Sequence, residues 1–207
     1  MKLFLASEAK HPESVKKFKQ FIGKDLLNKK ILYIPTAANG EYYGSWKGGE
    51  TVRVVQELSN YVDILQLEDF YFTDIKKRIK NSEIIFIAGG MSGYLLYWIK
   101  RTGFDKMLIE ALNKGVIYFG TSAGSMICSK TQESSEWLIG DEEPGASLIP
   151  GLGLIDFEIY PHYEDELYSQ IEKKWKKGKL YLLKNGEVIT ITDGKVEVLG
   201  EERILEK

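Results

Sequence analysis

One cysteine and two histidines are all that 207 residues contain of the side chains most used to grip transition metals. A single thiol, Cys128, excludes an internal disulfide. Two distant histidines, His11 and His162, without a cysteine cluster offer no zinc-ligand spacing, so neither a metal nor any other cofactor is expected. An excess of positive charge is also missing. Lys and Arg total 28 against 30 Asp and Glu, a net charge of -2, which lacks the basic footprint of nucleic-acid binding. The densest basic stretch, Lys173, Lys174, Lys176, Lys177 and Lys179, alternates with Trp175 and reads as a solvated helix face. No apolar run approaches the length of a membrane span. Residues 1–7 form an apolar stretch too short for a signal h-region, and charges follow at once. With the lone thiol, these absences place the expected protein in the cytoplasm, with neither nucleic acid nor membrane as a partner. The glycine-rich segments lack the Lys-Ser/Thr ending of a phosphate-binding loop, so nucleotide hydrolysis has no support.

What is present is a chain with 43% hydrophobic content, enough for one well-buried core and short for two, so a single domain over 1–207 is expected. Apolar runs of strand length alternate with amphipathic stretches, the pattern of a mostly parallel sheet covered by helices on both faces. Strands are expected at 2–6, 31–34, 63–67, 83–87 and 116–119. Helices are expected from Pro12, over 51–59, near 75–79, and through 94–99 and 104–112. The stretch 131–153 is polar, acidic and broken by Pro144, Gly145, Pro150, Gly151 and Gly153, a long excursion over the edge of the sheet. A strand near 154–159, a helix over 164–177 and strands near 180–183, 187–192 and 195–199 follow. The turns Lys184-Asn185-Gly186 and Thr192-Asp193-Gly194 favour antiparallel hairpins between the last three. An aromatic loop with Tyr42, Tyr43 and Trp46 suits either a pocket wall or contact with a second copy of the chain, leaving a homo-oligomer open.

Residues 120–125 read Gly-Thr-Ser-Ala-Gly-Ser directly after the apolar run ending at Phe119, a G-x-S-x-G nucleophile elbow. Such a turn lifts the Ser122 hydroxyl clear of the sheet and aims the Ala123 amide, at a helix start, at any oxyanion formed on a substrate. A serine needs a base, and imidazole is the side chain matched to that task. His11 reads as a surface residue beside the first helix. His162, in Tyr160-Pro161-His162-Tyr163 beyond an apolar strand, is the expected base. Gly89 and Gly90, at the end of a neighbouring strand, can supply a second oxyanion donor or simply make a strand-to-helix turn. Glu133, Glu136, Asp141, Glu142, Glu143, Glu158 and Asn185 are the candidates for orienting the histidine, and most of the loop acids must be solvated. Cys128 is expected to be buried packing.

Gly120-Thr-Ser122-Ala-Gly124, the Ala88-Gly89-Gly90 strand end and Pro161-His162-Tyr163, in that order, resemble the peptidase E (aspartyl dipeptidase) family of serine peptidases, whose relatives include cyanophycinase. The likeness runs through nearly all of the chain. It implies a three-layer α/β sandwich of flavodoxin-like type, similar to class I glutamine amidotransferase domains, and metal-free cleavage of small peptides. It also implies Ser122 as nucleophile, His162 as general base, and the Gly90 and Ala123 amides as oxyanion hole. After a one-residue shift, Glu136 falls where the family carries an acidic relay residue.

Two departures bear on the expected chemistry. Where the family often shows Leu-Pro-Glu-Gly near the C-terminus, this chain has Leu183-Lys184-Asn185-Gly186. The Asn185 amide oxygen can hold an imidazole yet offers it no charge. The segment after His162, where aspartyl dipeptidases carry an arginine for an acidic substrate side chain, here reads Glu164-Asp165-Glu166-Leu167-Tyr168-Ser169-Gln170. A preference for amino-terminal Asp therefore does not carry over from the resemblance, and the specificity for the residue before the cleaved bond is left open. Two alternatives remain: a non-catalytic small-molecule-binding or regulatory protein on the same fold, and an amidase or esterase acting on non-peptide substrates.

Overall fold

Five apolar runs pair into the parallel core of one sheet in the computed structural model, which describes residues 1–41, 46–69 and 71–207. They are β1 (Lys2–Ala6), β2 (Lys30–Ile34), β3 (Tyr61–Ile64), β4 (Ile84–Ile87) and β5 (Ile117–Thr121). Between them lie α1 (Pro12–Ile22), α2 (Thr36–Asn39), α3 (Glu50–Leu58), α4 (Phe72–Lys80), α5 (Ser92–Thr102) and α6 (Phe104–Asn113). The remaining elements are α7 (Ala123–Met126), α8 (Glu133–Glu136), β6 (Glu158–Tyr160), α9 (Tyr168–Lys174), β7 (Lys179–Leu182), β8 (Val188–Thr192), β9 (Lys195–Leu199) and β10 (Ile204–Glu206). The large sheet has the order β3-β2-β4-β5-β1-β8-β9, with β8 and β9 antiparallel to their neighbours. This is the three-layer, mostly parallel α/β sandwich expected from the alternating pattern.

Alternation of side chains along each strand divides the core into two layers. Leu3, Leu5, Leu32, Ile34, Ile85 and Ile87 face one side with Leu95, Leu96 and Ile99 of α5 and Leu108 of α6. Phe4, Tyr33, Phe86 and Phe119 face the other with Phe18 of α1 and Val55 of α3. The rings of Phe4, Phe18 and Phe86 surround Phe119 at centroid distances of 4.8, 4.4 and 4.0 Å, contacts that each add ~1 kcal/mol beyond their buried area. The switch of face has a topological cause. The chain moves from β1 outward to β3 with α1 and α3 on the second face. It then returns through β4 to β5, so crossovers of constant hand must place α4 to α6 on the first face. The carboxyl ends of β1, β4 and β5 consequently lie side by side at one rim, where ligands bind in sheets of this kind.

Differences from the expected elements have local reasons. The third strand runs from Tyr61 to Ile64 rather than over 63–67. Leu65 and Leu67 continue the buried run as loop, held by Leu65 N donating to Tyr33 O at 2.9 Å and Leu67 N to Thr36 Oγ1 at 2.9 Å. Of 154–159 only the end is strand, because Leu152 N and Leu154 N donate instead to Ile127 O and Cys128 O just past α7. The Thr192–Lys195 hairpin forms as expected, but no hairpin joins β7 to β8. Both edges of β7 are already occupied, by parallel β6 and by antiparallel β10, a strand not expected from the sequence. The Lys184-Asn185-Gly186 turn therefore carries the chain from the three-stranded sheet to the large one. Lys173, Lys174, Lys176 and Lys177 are exposed while Trp175 is buried, as a solvated face requires.

Candidate active site

The elbow at the end of β5 is built by two glycines that let backbones touch. A Cβ on Gly120 would stand 2.3 Å from Gly124 O, and one on Gly124 would stand 2.4 Å from Ile87 O. Only bare backbone allows α7 to fold back so closely on β5 and β4. Ser122 sits between them at φ 47 and ψ -118, a conformation that L-residues rarely adopt and that costs ~1–3 kcal/mol. The surroundings impose it: Ser122 N donates to Ala6 O at 3.1 Å and Ser7 O at 3.2 Å, and Ser125 Oγ to Ala6 O at 2.8 Å. Tyr118 Oη adds a hydrogen bond to Gly124 O. Cys128 is fully buried behind the elbow, its thiol pushed up to about 12 by burial.

His162 follows β6, and Asn185 follows β7, so parallel pairing of these two strands brings both residues to the same rim. Leu183 N donates to Tyr160 O at 2.9 Å and Tyr163 N to Leu183 O at 3.0 Å, extending the ladder past the strand ends. His162 has φ 55. Its Nε2 lies 3.1 Å from Ser122 Oγ, and its Nδ1 lies 2.7 Å from Asn185 Oδ1. Ser122, His162 and Asn185 thus form one continuous chain of contacts across two sheets.

None of the carboxylates expected as alternatives hydrogen-bonds the His162 ring among the described residues. Glu136, the residue implied as relay, does not reach the imidazole. Its Oε1 accepts from Ser147 N at 3.1 Å and from the Ser147 hydroxyl, which together hold its carboxyl below the ordinary range. The reason is the fold of the loop: α8 begins where Glu158, buried at the start of β6, accepts from Glu133 N at 3.1 Å and Ser134 N at 2.8 Å, and Glu136 closes the other end on Ser147. Glu133 pairs with Lys177 at 3.6 Å. His11 is also away from the serine, its Nδ1 accepting from Glu13 N at 3.2 Å as the cap of α1.

At the end of β4, Gly90 has φ 130, and a Cβ there would stand 2.4 Å from Ala37 O. Gly89 packs on the serine itself, since its Cβ would stand 3.1 Å from Ser122 Cβ. Neither Gly90 N nor Ala123 N has a hydrogen-bond acceptor among the described residues. Gly90 and Ser122 border a cleft of about 500 Å³ that also takes in His162 and Trp46, and Ala123 follows Ser122 directly in the chain. Trp46 is anchored by Nε1 donating to Gln66 Oε1 at 2.7 Å, whereas Tyr42 and Tyr43 of the same loop lie outside the described residues. Among the described residues the cleft lining carries Glu8, Glu41, Asp141, Glu142 and Glu143 against a single cation, Lys10, which pairs with Glu50 at 3.0 Å and Glu8 at 3.6 Å. Burial, with Asp141 and Glu143 close by, pushes the Glu41 carboxyl upward.

Two contacts at this rim are not legible in the sequence. Glu143 spans the start of α5, accepting from Ser92 N at 2.6 Å and Gly93 N at 2.8 Å, and so ties the 131–153 excursion to the cleft. Ser7 touches the backbone or side chain of all three central residues. Its position at the carboxyl end of β1 was the only available signal.

A parallel α/β sheet whose rim presents an elbow serine against an imidazole defines a hydrolase of the serine class. The sequence model of peptidase family S51 matches residues 3–199, and the chain belongs to that family as a serine peptidase of the peptidase E type. It is 29% identical over 201 residues to an uncharacterized peptidase of Listeria monocytogenes, covering 91% of this chain and 93% of the relative. It is 28% identical over 204 residues to peptidase E of Nostoc sp., covering 90% and 78%. The crystal structure of a Listeria monocytogenes EGD-e protein provisionally assigned to peptidase E matches with a TM-score of 0.81 at 26% identity, over 95% of this chain and 96% of that one. Among the described residues no helix is long and apolar enough to cross a membrane.

Proposed function

We propose that this peptidase, as one hydrolase unit over 1–207, cleaves small peptides through Ser122, His162 and Asn185. The observation that carries the reading is the unbroken contact from Ser122 Oγ to His162 Nε2 at 3.1 Å and from His162 Nδ1 to Asn185 Oδ1 at 2.7 Å. Ser122 Oγ attacks the peptide carbonyl while His162 Nε2 takes its proton, and the Gly90 and Ala123 amides receive the oxyanion. The imidazolium then returns the proton to the leaving amine, and water hydrolyses the acyl-enzyme by the same route. Asn185 keeps the ring oriented with its proton on Nδ1. A fluorophosphonate probe tests this directly. The expected result is a single adduct on Ser122, located by peptide mass mapping, that is lost in His162→Ala. Folded protein that stays unlabelled is the result a binding protein on this fold would give, and it would reject the hydrolase mechanism.

The lining of the cleft favours a substrate with positive charge beside the scissile bond. Five carboxylates against one already paired lysine repel an aspartyl side chain and attract an ammonium or guanidinium. Peptides with Lys or Arg should be cleaved with kcat/KM above the matched Asp peptides by about tenfold or more, and the ratio should shrink as salt rises. The comparison is one series of dipeptide amides assayed at two ionic strengths. Equal rates for Lys and Asp substrates would remove the charge argument while leaving the mechanism standing.

A further inference from the structure

Ser7 is fully buried at the carboxyl end of β1, and each of its polar atoms is engaged with the site. Its amide donates to Glu187 O at 3.1 Å and its carbonyl accepts from Ser122 N at 3.2 Å. The hydroxyl oxygen accepts from His162 N at 2.8 Å, and its one proton faces Leu183 O at 3.1 Å and Asn185 Oδ1 at 3.3 Å.

An asparagine at the third position of such a chain carries a problem that a carboxylate does not. Its amide has an oxygen end and a nitrogen end, and the end facing His162 Nδ1 decides where the imidazole proton sits. With Oδ1 facing the ring, the proton is on Nδ1 and Nε2 has a lone pair for the Ser122 proton. With the amide reversed, Nδ2 donates to Nδ1, the proton moves to Nε2, and the ring donates to Ser122 Oγ instead of accepting from it. That tautomer cannot act as a base. The Ser7 proton is shared between Leu183 O at 3.1 Å and Asn185 Oδ1 at 3.3 Å, and reversing the amide leaves it Leu183 O alone, so the shared donation favours the productive orientation; among the described residues the Ser7 hydroxyl is the side chain placed to give it.

We propose that Ser7 is a positioning residue whose hydroxyl orients the Asn185 amide and thereby keeps the proton of His162 on Nδ1. This rests on the Ser122–His162–Asn185 reading. Ser7 never touches the substrate, so its effect should fall on kcat and not on KM.

The test uses Ser7→Ala, Asn185→Asp and the double variant. A carboxylate accepts from Nδ1 whichever oxygen faces it, so the Ser7 hydroxyl has nothing to orient in the Asn185→Asp background. Ser7→Ala is expected to lower kcat by about thirtyfold or more in the native background, with KM unchanged, and by only about threefold in the Asn185→Asp background. Nitrogen-15 NMR of the imidazoles gives a readout independent of activity. With His11 the only other ring, the His162 signals should report the Nδ1–H form in the native protein and a shift towards Nε2–H in Ser7→Ala. Ser7→Cys, which fills the site with a slightly larger group and weakens donation, should move both readouts the same way if the alanine variant folds poorly. The same loss of kcat in both backgrounds, or an unchanged Nδ1–H signal in Ser7→Ala, would overturn the proposal. If Ser7→Ala shows the tautomer shift but the native protein never reacts with fluorophosphonate, the positioning role stands and the hydrolase mechanism falls.

Discussion

Replacing Ser122 with alanine should lower kcat by about four to six orders of magnitude and leave the protein folded. The size follows from the role proposed for it. A nucleophile, its base and the group orienting that base act as a unit, so removing the attacking oxygen leaves only what the oxyanion donors and substrate binding can achieve. Folding is spared for a separate reason. The unusual backbone at Ser122, φ 47, is held by main-chain contacts of Ser122 N with Ala6 O and Ser7 O and by the flanking glycines. Alanine bears the same strain as serine, and the hydroxyl contributes only its contact with His162. The melting temperature should therefore move by no more than about 2 °C. Steady-state kinetics with a dipeptide amide and a thermal melt, on the same preparation, measure both quantities. Retention of a tenth of the native kcat would mean that the attacking group lies elsewhere.

Gly124→Ala should show the opposite division, a loss of stability that brings activity down with it. The new methyl would stand 2.4 Å from Ile87 O, 3.0 Å from Ile87 C and 3.1 Å from Ala88 O, all backbone atoms of a central strand and its end. No rotamer change relieves such a contact, so either α7 moves off the sheet or β4 bends. Overpacking of this severity costs about 3 kcal/mol, which for a chain of this size lowers the melting temperature by about 6–12 °C. Moving α7 also displaces Ser122 and the Ala123 amide, and a shift near 1 Å costs about a hundredfold in rate. Gly48→Ala is the control, because a Cβ there meets nothing within 4 Å and its change should be near neutral. A Gly124→Ala protein melting with the native one would show that the elbow tolerates separation from β4.

The rarity of histidine made part of the site legible before any coordinates: two rings in 207 residues leave little choice once an elbow serine is recognised. The partner of the ring was not legible. Loop carboxylates such as Glu136 and the turn residue Asn185 were equal in composition terms, and strand pairing separated them. β6 and β7 run side by side, so the residues just past their ends meet, while Glu136 is drawn to Ser147 by the cap that closes α8. The same pairing removed the expected hairpin at Lys184-Asn185-Gly186, since β7 had no free edge to offer β8.

Local order in the polymer determined the buried parallel strands, the two-layer division of the core and the serine elbow. Each of these depends on patterns of a few consecutive residues: apolar runs, period-two alternation, and glycines where backbones must touch. Tertiary structure alone decided that Asn185 and not Glu136 meets His162, that Ser7 joins them, and that acids line the cleft. Those contacts join residues as far as 178 positions apart, and hydrogen bonds over such separations leave no periodic trace in the chain that makes them.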